Sequence, residues 1–141
     1  MNRINGFLPL TGRIFLSAIF LMSGLGKIAD WSGTAGYMSS KGMPFASLLL
    51  VGAIVFEICG GLSILLGFKT KIGSVALIIF LIPATLVFHN FWALEGMDQQ
   101  MQMIMFMKNL AILGGLLTII AHGSGTLALD NINKKNWSPI T

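Results

Sequence analysis

The sequence predicts an all-α integral membrane protein, a four-helix bundle of antiparallel up-down topology with both termini in the cytoplasm. Four apolar stretches, at about residues 7–28, 44–68, 72–92 and 99–121, are each long enough to cross ~30 Å of hydrocarbon as a helix. Charged residues are only 10% of the chain, against roughly 25% in soluble domains. The mean hydropathy of +0.82 agrees. Backbone groups in lipid must be satisfied internally, and the apolar runs lack the alternation of a barrel strand, so helices are the reading.

The first segment carries Arg13 inside its apolar run. Arg13, Ser17, Phe20, Gly24 and Lys27 recur at steps of four, three, four and three, so they share one helix face. That face is polar or small while the others are Ile, Leu, Phe and Met, an inside-out pattern that turns the stripe toward the bundle interior. A charge in lipid costs a few kcal/mol or more and ordinarily faces a partner or a polar cavity. The next connection, residues 29–43, is predicted as the longest loop, rich in Gly and Ser, with Trp31 and Tyr37 as interface anchors.

The second segment carries Glu57 near mid-membrane, with Gly60-Gly61 one turn on as a place for close helix approach. A tight turn at Gly67-Phe68-Lys69-Thr70-Lys71 leads into the third segment. There Pro83 removes a backbone donor and predicts a kink, and His89-Asn90-Phe91-Trp92 closes the span. A short acidic loop with Glu95 and Asp98 precedes the fourth segment, which holds Lys108 and Asn109. Residues 124–141 read as a polar cytoplasmic tail, mobile from Asp130 onward. Residues 1–123 form the one membrane domain.

Arg3, Lys69 with Lys71, and Lys134 with Lys135 all fall on one side of a four-pass chain, and positive-inside bias makes that side cytoplasmic. The net charge of +4 is scattered along membrane edges and implies no nucleic-acid partner. Cys59 is the single cysteine, which excludes an internal disulfide, a redox CxxC pair and a thiolate zinc site. Met101, Met103, Met105 and Met107 occupy more than one helix face and read as packing, not a metal track.

The charged interior is the candidate site. Glu57, His89 and Lys108 are the candidate catalytic residues, because one acid, one imidazole and one amine at overlapping depth suit proton transfer. Arg13, Lys27, Asn90, Trp92 and Asn109 are the candidate ligand contacts, with Trp92 placed to stack on a planar ring. Glu57 is expected to meet Lys108 or Arg13, with none of the three facing lipid. One buried acid cannot neutralise two bases, so a polar or anionic ligand is one way to complete the site. Ion pairs that merely hold helices in register are the alternative.

These residues resemble the DoxX family of small four-helix bacterial membrane proteins, over Pro9 to Gly123. The likeness rests on Arg13-Ile14-Phe15, on Phe20-Leu21-Met22-Ser23-Gly24-Leu25-Gly26-Lys27, and on Lys41-Gly42-Met43-Pro44. It continues through Glu57-Ile58-Cys59-Gly60-Gly61, His89-Asn90-Phe91-Trp92 and Lys108-Asn109-Leu110-Ala111. The resemblance implies a bacterial inner-membrane bundle and redox biology linked to quinones or oxidative stress. The family is named after a subunit of an archaeal thiosulfate:quinone oxidoreductase that works with a separate soluble subunit. A quinone is therefore the candidate cofactor, with no metal, flavin or haem signature, and a soluble redox protein the candidate partner beside membrane lipid. An oligomer is compatible with the sequence. The rival functions are a non-catalytic lipid-binding protein and a scaffold that docks a soluble enzyme at its loops.

Overall fold

The computed structural model describes residues 4–131, and those residues are helical wherever they are regular. The order is α1 (Ile4–Ala29), α2 (Trp31–Ser40), α3 (Ala46–Leu66), α4 (Thr70–Phe88), a 3-10 turn (Phe91–Ala93) and α5 (Gly96–His122). Among them α1, α3, α4 and α5 are long and apolar enough to cross a membrane.

The connection expected to be a loop is the helix α2. Asp30 caps it, its carboxylate accepting from the Gly33 amide at 3.1 Å. Met38 is buried against Ala46 and Leu50, and Tyr37 stacks on Phe88 with centroids 5.7 Å apart. Gly and Ser content suggested a loop; tertiary burial of Met38 overrides that weak local preference. The third span covers Thr70–Ala93, enclosing the expected 72–92; its α-helix stops at Phe88 and the 3-10 turn Phe91–Ala93 completes it.

Close approach is fixed by small residues. A Cβ added at Gly24 would sit 2.8 Å from Ile58, and one at Gly61 would sit 2.9 Å from Leu21, so side chains of α1 and α3 pack directly onto each other's glycines. Gly60 meets Leu77 and Gly73 meets Ser63, which brings α4 against α3 in the same way. Gly114 has open space around it and serves no contact. α1 and α5 approach through side chains such as Leu16 beside Gly115. The apolar core between the helices is Phe20, Ile64, Leu77, Leu81, Ile112 and Leu116.

Arg13, Ser17, Phe20 and Gly24 are all buried and Lys27 is half-buried, so the polar stripe of α1 faces inward as its spacing predicts. Arg13 does not reach Glu57. Its guanidinium donates to the carbonyls of Ile64 and Leu65 in the last turn of α3, and to that of Leu127. Ile64 O already accepts from the Gly67 amide at 3.2 Å, and a cation beside this last turn suits the negative end of the α3 dipole.

The segment following α5 is docked, at least as far as Asn131. The Asp130 carboxylate accepts from the Lys69 amide at 2.8 Å and the Thr70 amide at 3.2 Å. It thereby caps α4, whose own cap residue, Lys69, is left-handed at φ 48° and offers no side-chain bond. The expectation of a mobile tail beginning at Asp130 is corrected by these bonds. The rest of that tail, with Lys134 and Lys135, lies outside the described residues, as does Arg3.

Candidate functional site

Glu57 sits in the middle of α3 at 3% exposure, on the face that meets α1. Because Gly24 lets α1 press against Glu57 and Ile58, the lysine one turn further along α1 arrives beside the carboxylate. Lys27 Nζ donates to Glu57 Oε1 at 2.9 Å and to Ser23 Oγ at 2.7 Å. Ser23 Oγ in turn donates to Glu57 Oε1 at 3.0 Å. The expected partners of Glu57 were Lys108 or Arg13; the partner is Lys27. The physical reason is packing order: α3 lies against α1 and α4, whereas Lys108 is carried by α5, and Arg13 is held toward the opposite end of α1.

Only one carboxylate oxygen is used. Glu57 Oε2 is buried and has no hydrogen-bond partner among the described residues. A buried carboxylate oxygen without a donor is costly, and in native structures such an atom calls for an explanation.

The explanation is beside it. Glu57, Lys27 and Ser23 form part of the wall of a cavity of about 620 Å³ enclosed by α1, α3, α4 and α5. That is ample for a ring-sized ligand, since such sites span ~300–1,000 Å³. The rest of the wall is mostly apolar, with Phe20, Phe56, Phe80 and Ile112 among the lining residues. On the side of α2 the wall is built by Thr34, Tyr37 and Met38, so this helix covers one mouth of the cavity.

His89, Lys108 and Asn109 line the same cavity. His89 Nδ1 lies 2.7 Å from Gln102 Oε1, a contact that fixes the imidazole in the cavity wall. Asn109 is buried and donates to Thr85 Oγ1 at 3.0 Å, which fastens α5 to α4. Lys108 departs from expectation. It is exposed at the seam between α1 and α5, its amine 3.4 Å from Met105 Sδ, and among the described residues it has no carboxylate partner. The expectation that it is enclosed fails because α5 turns this position to the seam and not to Glu57.

The remaining expected contacts fall elsewhere. Arg13 spends its guanidinium on the α3 carbonyls and does not line the Glu57 cavity. Trp92 is exposed and packs edge-to-face with Phe91 and Phe106, with centroids 5.3 and 6.0 Å apart. Asn90 is half-buried outside the cavity wall. Sequence reasoning missed Ser23, Gln102 and the α2 residues as parts of the site. Ser23 carried a signal, lying four residues before Lys27 and therefore under it on the helix surface. Gln102 and Tyr37 carried none, being brought in by turns.

Membrane-length helices around a half-enclosed, ion-paired cavity define a class: small multi-pass membrane proteins with a polar interior. This chain belongs to the DoxX family, which matches it over residues 8–90. It is 36% identical to the inner membrane protein YqjF of Escherichia coli over 97% of this chain and 100% of that protein. To the inner membrane protein YphA of the same organism it is 33% identical, covering 87% and 88% of the two chains. The yeast ER-derived vesicles protein ERV29 is 26% identical over 94% of this chain, which corresponds to 36% of that longer protein. No solved structure matches the chain.

Proposed function

We propose that this protein is the inner-membrane component of an oxidoreductase system and that its cavity binds a quinone-type ligand. The observation that carries the reading is the buried, unpartnered Glu57 Oε2 on the wall of a cavity large enough for a substituted ring. A quinone would supply carriage of electrons together with protons through the bilayer. Glu57 Oε2 would accept from a hydroxyl of the reduced ring, with the Lys27 ammonium holding its other oxygen. As arriving electrons reduce the ring, His89 would relay protons that the ring oxygens take up, and Lys108 would donate to a ring oxygen. Phe56 and Phe80, stacked on each other at 6.3 Å, offer an aromatic wall for the ring.

In this reading both termini are cytoplasmic, as the placement of Arg3, Lys69, Lys71, Lys134 and Lys135 supports. Electrons reach the ligand from a soluble or membrane partner. Native mass spectrometry of the gently purified protein tests the proposal. Wild type should carry quinone, and Glu57→Gln, His89→Phe and Lys108→Met should lose it while staying folded and monodisperse. Retention of phospholipid alone would replace the reading with a lipid-binding protein. A co-purifying enzyme with no ligand in the cavity would replace it with a scaffold.

A further inference from the structure

A second cavity, also about 620 Å³, lies along the seam between α1 and α5. It borders the first, and Ile19, Lys108 and Ile112 line both. From that border it runs past Phe15, Gly12, Gly115 and Thr118 to Pro9 and Ser124. Ten residues of α1 and fourteen of α5 separate its two ends, a length of ~15–20 Å at the rise of an α-helix. Most of its wall area is apolar, with Arg13, Lys108, Thr118, His122 and Ser124 as the polar lining residues, and there is room at Gly12, where a Cβ would meet nothing within 4 Å. α1 and α5 lack the close backbone approach that joins α1 to α3, so this seam is where the bundle opens sideways toward lipid.

The two cavities differ in chemistry as the two ends of one molecule differ. The first presents a bare carboxylate oxygen, an imidazole and a buried amide. The second is lined mainly by small and apolar side chains over the length of a lipid chain, with Arg13 and His122 toward the end away from Lys108. Lys108, a cation without a carboxylate partner among the described residues, stands where they meet.

We propose that the α1–α5 groove holds the apolar chain of the ligand whose head occupies the Glu57 cavity. The ligand is then a lipid with one linear chain on an oxygen-bearing head, with Lys108 donating to an oxygen where head and chain meet. This rests on the head-site reading given above but adds a requirement it does not contain: affinity must grow with chain length, and must do so through the groove. Each methylene moved from water into an apolar site contributes to binding, so a short-chained homologue forfeits most of that gain. The ligand reaches the cavity sideways from the bilayer through the seam.

The test is binding of a short-tailed quinone, a long-tailed quinone and a long-chain fatty acid to the full-length protein in nanodiscs. The proteins compared are wild type, Gly12→Leu and Gly114→Leu. Both glycines are helical and have open space at the Cβ position, but Gly12 lines the groove and Gly114 does not. The expected result is that Gly12→Leu weakens the long-tailed quinone by about tenfold or more, leaves the short-tailed one unchanged, and that Gly114→Leu changes neither. Equal loss in the two variants, or no dependence on chain length in wild type, would overturn the groove while leaving the head site standing. If wild type binds neither quinone, the quinone reading fails. In that case loss of the fatty acid in Gly12→Leu alone still supports the groove as a chain site, and its unchanged binding there overturns it.

Discussion

Lys27 and Glu57 meet at 2.9 Å where Gly24 brings α1 against α3, and among the described residues the pair leaves one carboxylate oxygen, Oε2, without a donor. The side chain of Glu57 is nearly enclosed at 5% exposure, whereas that of Lys27 keeps 23%. The lysine thus mediates between the buried acid and the outside, and the site is a charge pair with one coordination place open.

A double-mutant cycle measures this pair. Lys27→Met should destabilise the protein by on the order of 3 kcal/mol, because it strands a buried carboxylate. Glu57→Gln alone should cost less, since the partly exposed lysine can still reach water. The double variant should fall well short of the sum, with a coupling energy above about 1 kcal/mol. Lys108→Met should stay within about 0.5 kcal/mol of wild type, as surface changes do. A coupling of Glu57 to Lys108 as large as that to Lys27 would overturn the assignment.

Asp130→Ala removes the cap of α4 and should cost about 1 kcal/mol, lowering the thermal midpoint by about 2–4 °C. Asp130→Asn should recover much of this, because an amide oxygen also accepts from the Lys69 and Thr70 amides. Hydrogen exchange at Thr70 and Lys71 localises the effect. A loss spread over all helices would point elsewhere.

Gly24→Ala should destabilise by about 1–3 kcal/mol, since its methyl would press on Ile58 with nowhere to go. Gly114→Ala, with free space at the same atom, should stabilise by about 0.5–1 kcal/mol through helix propensity. The opposite signs of two Gly→Ala changes, read by thermal or chemical unfolding, distinguish packing from propensity.

Cys59 is exposed on α3, and replacing it gives a cysteine-free background for topology. In Cys59→Ser, a cysteine introduced by Gly36→Cys should react with a membrane-impermeant maleimide added to intact cells. One introduced by Lys71→Cys should react only after lysis. The reverse pattern would invert the proposed orientation.

The membrane-crossing helices and the inward stripe of α1 were legible because lipid imposes rules that a sequence must obey. Length, the rarity of charge and the spacing from Arg13 to Lys27 carry that information directly. The residue set of the site was legible in part for the same reason: Glu57, Lys27, His89, Lys108 and Asn109 line one cavity. Their pairing was not legible. Depth along each helix can be counted, but which helices touch is decided by where glycines permit approach, and Gly24 against Ile58 decides for Lys27 over Lys108. α2 escaped because its local composition favours a loop and only the burial of Met38 and the stack of Tyr37 on Phe88 make it a helix. Asp130 escaped because a capping acid supplied from a distant segment leaves no pattern at the helix it caps.

The clamp on Arg13 closes through a carbonyl 114 residues further along the chain. At synthesis rates of ~5–20 residues per second, Leu127 leaves the ribosome roughly 6–23 s after Arg13 and roughly 3–12 s after Leu65. For the latter interval the nascent hairpin of α1 and α3 waits with a guanidinium only partly coordinated, and α4, once made, stays uncapped until Asp130 follows. A stretch made late is thus the fastener for the first helix, and a chain halted before residue 127 would lack it although all four spans had been made.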